Sequence, residues 1–374
     1  MKTLDKMYKR YFFAFCIGIF LASGLIVNPV PGFPISESMT LNSTETKIFV
    51  SIPQGDNQNN PQAKIELPAD FQYPNGITRA SNGTLYVGSI VSGKILQITP
   101  DGKITTFFPG SEDVFAATSL RLDEQRGILW GTSPDFLGVK NADGEIIRRP
   151  HRVFAIAIST SEVLRSEVMP DQGFGNDLAL DSDGGVYITD SFQPRIYYLA
   201  PNAEKFQIWA EDELFRPESE QIGLAGIARN SDGIIVVGMY SEGKLFKITN
   251  QLEGSVKVEA IPLERQLENP DGMQFTDDGS LLLVEGAMTS GDGRLVRLDV
   301  LSPENKPQPI KTLASGLKSP VNLTTSKNNV WSTESQIRHR LLPKQQAEIP
   351  ERFFIHKGLI SIIIPSKYVS PLRS

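Results

Sequence analysis

Short runs of alternating apolar and polar residues recur along this chain in a fixed order. Those at 83–88, 127–131, 185–189, 233–237, 279–284 and 329–333 share one design, a small or turn residue followed by apolar side chains. A four-residue turn motif stands nine or ten residues upstream of each: Pro74-Asn75-Gly76-Ile77, Ala117-Thr118-Ser119-Leu120, Gly175-Asn176-Asp177-Leu178, Leu224-Ala225-Gly226-Ile227, Pro270-Asp271-Gly272-Met273 and Pro320-Val321-Asn322-Leu323. A third run follows each pair, at 94–98, 153–156, 195–199, 244–248, 294–298 and 336–339. A fourth is visible at 104–108 and 256–260. Alternation with period two is the pattern of strands with one wetter face. Repeats of roughly 40 to 60 residues built from four short strands predict an all-β fold, a six-bladed β-propeller with antiparallel blades.

The turns support this reading. Asn82-Gly83, Asp183-Gly184, Asp232-Gly233 and Asp278-Gly279 occupy one repeat position. Each pair supplies the positive backbone torsions of a tight hairpin between first and second strands. The segment 64–67 precedes the first turn motif as 309–312 precedes the sixth. The N-terminal segment is therefore expected to be the outer strand of the last blade, which closes the ring and leaves it no open edge. Tyr86, Trp130, Tyr187 and Trp331 share a strand position that packing between blades would bury.

The propeller is assigned to residues 63–345, with 346–374 as a C-terminal tail in which 359–364 could add a strand. Residues 1–28 differ in kind: Lys2, Lys6, Lys9 and Arg10 precede an uncharged apolar run, and Pro29 and Pro31 follow. They read as a secretory signal peptide, or an uncleaved membrane anchor. The expected location is secreted or periplasmic, with anchoring as the alternative. Residues 29–62, rich in polar residues and Pro, read as a partly disordered linker with a short strand at 47–51. The sole cysteine, Cys16, lies in the leading segment, so the propeller has no disulfide. A net charge of −6 over 374 residues, with no basic cluster in the repeats, argues against nucleic acid. The chain is read as a monomer, with no membrane contact beyond the leading segment.

Six equivalent turns converge at one end of the central channel, and the second strands end at the same rim. The turns bring Asn75, Asn176, Asp177, Asp271 and Asn322 there, and the strand ends bring Asp190, Tyr240, Glu285 and Glu334. Carboxylate and amide oxygens around an axial cavity suit a hard cation. Each also has a plainer reading, since Asp and Asn cap backbone groups in turns. His151, His339 and His356 read as structural residues.

The motifs Gly175-Asn176-Asp177-Leu178 and Pro270-Asp271-Gly272-Met273, with the recurring Asp-Gly and apolar strand, resemble the senescence-marker-protein, gluconolactonase and luciferin-regenerating-enzyme (regucalcin-like) family of six-bladed propellers. The resemblance implies a divalent cation, calcium before zinc, and hydrolysis of a small-molecule substrate, a lactone. Carried over, the family's four ligands fall on Asn75, Asn176, Ala225 and Asp271. The family has a carboxylate at the first position and an amide at the third, so Asn75 and Ala225 depart from the pattern. Asp271 is the expected catalytic acid/base or ligand. Two alternatives stand beside this: a non-catalytic binding propeller with a degenerate metal site, and a metal-independent enzyme of the strictosidine-synthase kind.

Overall fold

The computed structural model describes residues 62–338, apart from 137, 141–144, 219–220, 252–253, 303–305 and 327–328, together with 359–363. The leading segment 1–28, most of the linker, the strand at 47–51, His339 and His356 lie outside the described residues.

Six four-stranded antiparallel sheets form the blades of a propeller. Their innermost strands are Pro74–Arg79, Ser119–Asp123, Gly175–Leu180, Leu224–Arg229, Pro270–Phe275 and Pro320–Thr325, in blades 1 to 6. The second strands, Leu85–Ser89, Ile128–Ser133, Val186–Asp190, Ile235–Met239, Leu281–Glu285 and Val330–Glu334, run back to the end of the channel where the first strands begin. The four hairpin glycines adopt φ between 80° and 93°, as the Asn-Gly and Asp-Gly pairs predict.

The core lies between blades. Tyr86 of blade 1 packs among Leu120, Leu129 and Phe154 of blade 2, and Trp130 of blade 2 packs against Leu178 and Ile188 of blade 3. Tyr187 of blade 3 joins Ile227 and Val237 of blade 4, and Trp331 of blade 6 packs on the blade 1 cluster. Each aromatic therefore bonds one blade to the next, and the ring is stabilised by apolar burial at its joints.

The sixth blade corrects two sequence expectations. Its third strand is Leu359–Ile363, not the segment at 336–339, where the chain turns after Gln336. The propeller therefore extends past residue 345 into the assigned tail. Gln336-Ile337-Arg338 offers one apolar side chain, whereas Leu359–Ile363 offers four, among them Ile360 and Ile363 fully buried. The strand Gln62–Glu66 pairs with Leu359–Ile363 as the outer strand of the last blade, so the ring closes as expected.

Candidate functional site

The channel mouth takes its shape from a repeated irregularity. In five of the six innermost strands the ladder to the second strand shifts register just after the first residue, as between Pro74 and Ile77 or Pro270 and Met273. A bulge leaves residues out of the ladder and re-aims their side chains. In blades 1, 3, 4 and 5 the second and third positions of the motif are released in this way, and in blade 6 the second alone. The second position carries Asn75, Thr118, Asn176, Ala225, Asp271 and Val321 around the ring. Asn75, Asn176 and Asp271 thus stand on alternate blades, the first, third and fifth.

Asp271 is partly exposed, yet the ring walls desolvate it. Desolvation pushes its carboxyl well above the usual carboxylate range, repulsion by Asp177 adds to this, and the N–H of Gly272 opposes it. Tyr240, at the same rim, has its hydroxyl pushed up by burial, then by Asp271 and Glu268. The Asp271 carboxylate meets the Gly272 N–H, and among the described residues neither it nor the Asn75 amide is tied to another side chain. Asn176 Nδ2 donates to Ser191 Oγ at 2.9 Å, which leaves its carbonyl oxygen as the available end.

The third position forms a second layer, where Ser119, Asp177 and Asn322 share the ring with Gly76, Gly226 and Gly272, glycines that let adjacent strands approach. A Cβ on Gly272 would lie 2.6 Å from Asn322 Cα. Asp177 is buried and fully engaged. It accepts from Ser119 Oγ, from Arg121 Nη2 at 3.1 Å, and from the N–H groups of Leu178 at 2.9 Å and Ile227 at 3.2 Å. Asn322 accepts from the Leu323 N–H at 2.9 Å and from Arg121 at 3.5 Å. Asp177 and Asn322 thus hold the inner strands together beneath the mouth.

The strand-end residues do a different job from the one the sequence suggested. In five blades the second strand ends opposite the first residue of its innermost strand, and outside blade 4 the side chain at the strand end secures the loop entering the innermost strand. Ser133 accepts from the N–H groups of Phe115 and Ala116, at 3.1 and 3.0 Å. Asp190 accepts from Phe174 at 2.9 Å, Glu285 from Glu268 at 2.8 Å, and Glu334 from Lys318 at 2.6 Å. Glu285 also holds Arg265 through two 2.7 Å bonds, and Glu334 accepts from Ser361. Asp190, Glu285 and Glu334 are each fully buried in these roles. In blade 4 the equivalent residue is Met239, with Tyr240 one step beyond.

Asp190 and His151 are poised oppositely. Asp190 Oδ1 takes three backbone N–H bonds while Oδ2 has none, and burial raises the carboxyl to about 6 despite those donors. His151 Nδ1 accepts the Asp135 N–H at 2.8 Å, and burial lowers its pKa to about 4.

Sequence reasoning missed the rim loops. Tyr73, Asn269 and Ser319, each just before an innermost strand, adopt left-handed φ of 50°, 56° and 50°. Such strain gathers at functional sites. Blade 2 carries an insertion between its second strand and its third strand, Arg152–Ala157. It is fastened at the rim by Asp135, which accepts from Arg149 N at 2.6 Å and Nη2 at 3.0 Å, while the Arg149 guanidinium lies 3.7 Å over Phe115. The insertion places Phe136 6.1 Å from Phe174, whose ring is 5.1 Å from Phe192. Its extra length was the one available signal.

Among the described residues no three His, Cys, Asp or Glu side chains come together as a metal cluster. A cation at the mouth would rest on the Asp271 carboxylate and the amide oxygens of Asn75 and Asn176. This all-oxygen set, with one formal charge and no His or thiolate, fits a weakly held hard cation and not zinc.

No protein-family model matches the sequence, and none of the curated proteins does. Solved structures do match in shape. A gluconolactonase from Xanthomonas campestris is 13% identical, with 86% of this chain and 98% of that one covered and a TM-score of 0.56. A luciferin-regenerating enzyme is 12% identical, covering 81% and 95%, with a TM-score of 0.53. A virginiamycin B lyase from Staphylococcus aureus is 15% identical, covering 82% and 99%, with a TM-score of 0.51. The resemblance read from the motifs thus holds as a likeness of fold, and the site must carry any argument about chemistry.

Proposed function

We propose that this chain is an exported hydrolase of small lactones or esters, working at the channel mouth with Asp271 as its acid/base and calcium as the preferred cation. The observation that carries this is the unspent Asp271 carboxyl, set with Asn75 and Asn176 on alternate blades at the rim. Gluconolactonases of the same fold suggest the reaction class. A bound divalent cation would polarise the substrate carbonyl. The Asn75 and Asn176 amides orient the substrate or the cation. Asp271 takes a proton from water as the water oxygen bonds to the carbonyl carbon. It returns the proton to the departing ring oxygen as the C–O bond breaks, which gives the hydroxy acid.

Asp271 also favours a second reading. A carboxyl pushed this high keeps its proton at pH values where an ordinary carboxylate is ionised, so it could serve as a general acid with no metal. One experiment separates the two. Hydrolysis of a lactone panel is followed by proton release on the full chain, with calcium or with chelator, beside Asp271→Asn. Activity that needs calcium and is lost in the variant supports the first reading. Activity that survives chelation but not the substitution supports the second. No hydrolysis of any lactone or ester under either condition sinks both and leaves a binding propeller.

A further inference from the structure

The mouth is asymmetric. The loop entering blade 1 carries Tyr73 immediately before Pro74-Asn75, and the loop entering blade 3 carries Phe174 immediately before Gly175-Asn176. Tyr73 clusters with Ile90 from the end of blade 1's second strand and Ile337 from beyond blade 6's, with Val91 and Phe136 packed against them. Phe136 then joins this cluster to Phe174 at 6.1 Å. An apolar arc therefore runs over the rim from blade 6 through blades 1 and 2 to blade 3. Tyr73, Ile90 and Ile337 form its buried floor, while Phe136 and Val91 are partly exposed. The opposite rim, at blades 4 and 5, carries Tyr240, Glu268, Asn269 and Asp271. The arc is continuous in sequence with two of the three site residues, so a ligand reaching Asp271 from Asn75 and Asn176 lies along it.

We infer that the ligand of this mouth is amphipathic, with an alkyl or aryl body against the Phe136 arc and a carbonyl group toward Asp271, and is not a polyhydroxylated sugar lactone. A sugar hydroxyl set on the Phe136 and Val91 side chains would lose its water partners without gaining a hydrogen bond, whereas each methylene would gain from burial. Phe136 is the specificity residue because its insertion bridges the two halves of the arc. The inference rests on the mouth being the ligand site and does not require hydrolysis.

The test is a displacement titration on the full chain. N-phenyl-1-naphthylamine is the neutral apolar fluorescent probe. It is displaced in turn by γ-butyrolactone, γ-octalactone, γ-dodecalactone and glucono-δ-lactone. The expected result is saturable probe binding, with competitor affinity rising by up to about fourfold per added methylene and glucono-δ-lactone the weakest. Phe136→Ala is expected to weaken probe and long-chain binding at least fivefold, and Val91→Asp to do the same. Absent probe binding, binding indifferent to both arc variants, or glucono-δ-lactone competing as well as the dodecalactone would overturn the inference. Chain-length-dependent binding without turnover would keep it and remove the hydrolase reading. Turnover of glucono-δ-lactone with no chain-length dependence would do the reverse.

Discussion

Arg121 of blade 2 and Asp177 of blade 3 join adjacent innermost strands, Nη2 to Oδ2 at 3.1 Å, beneath the mouth. The Arg121 side chain is 18% exposed and that of Asp177 3%, so the pair is largely screened from water. Removing one member of a buried pair strands the other, at a cost of about 3–5 kcal/mol. Asp177 has Ser119 and two backbone N–H groups as further donors, whereas Arg121 has only carbonyl acceptors besides. Asp177→Asn is therefore expected to destabilise the fold more than Arg121→Met, and the double variant less than the sum of the two. Urea unfolding of all four proteins measures this, and additive losses would show that the pair is not coupled.

The opposed poise of Asp190 and His151 predicts a cancellation. Asp190 ionises at about 6 in the fold against 3.8 ordinarily, so the folded state holds more protons there between about 4 and 6. Its contribution to stability falls as pH rises through that window. His151 protonates at about 4 in the fold against 6.5 ordinarily, so the unfolded state holds more protons there, and its contribution falls as pH drops from 6.5 to 4. Each shift is two units or slightly more, on the order of 3 kcal/mol, with opposite signs. Wild type is expected to show little change from these two groups. Asp190→Asn unmasks the histidine and loses stability on acidification below 6.5. His151→Gln unmasks the aspartate and gains stability on acidification from 6 to 4. Urea midpoints at pH 4.5, 5.5 and 7 decide the matter, and parallel curves for all three proteins would refute it.

The bond between Glu285 and Arg265 explains where sequence reading stopped. Turn chemistry and alternation are local, so the hairpin glycines, the six inner strands and the position of Asp271 could be read from spacing alone. A carboxylate at a strand end looks the same whether it faces a ligand or a clamp. Glu285 is a clamp because Arg265 and the Glu268 N–H reach it from another loop, and nothing local announces them. The sixth blade was misread for a similar reason, since its third strand lies over twenty residues beyond its second. Phe136 was invisible because an insertion has no repeat to align with.

That clamp yields a prediction of its own. Glu285 is fully buried with Arg265 bound through both oxygens, while the Arg265 side chain is 35% exposed and can recover water if released. Glu285→Gln keeps an acceptor for the Glu268 N–H but loses the charge. The expected loss is about 1.5–3 kcal/mol, the range for hydrogen bonds to charged groups, with Asp271 chemistry unaffected. Arg265→Met leaves Glu285 charged and buried, and is expected to cost more. Thermal and urea unfolding give the order, and a larger loss for the glutamine variant would reverse the assignment of which partner is desolvated.

Ring closure through Leu359–Ile363 makes the C-terminal segment structural. That strand is hydrogen-bonded to Val330–Glu334 on one side and Gln62–Glu66 on the other, so its removal unpairs two strands at once. Ile360 is fully buried in a cluster with Ile65, Leu67, Phe71 and Val87, which joins the last blade to the first. Ser361 satisfies Glu334, which is also fully buried. Ending the chain at residue 358 would leave that carboxylate short of a donor, open the apolar joint and expose two sheet edges. The truncated chain is expected to lose cooperative unfolding, whereas Ile360→Ala keeps both ladders and costs about 2–5 kcal/mol. Circular dichroism during urea unfolding separates the two effects. A chain ending at 345, the boundary drawn from the repeats alone, should behave like the chain ending at 358. If either truncation unfolded at the full chain's midpoint, the final strand would be an ornament on a ring that closes without it.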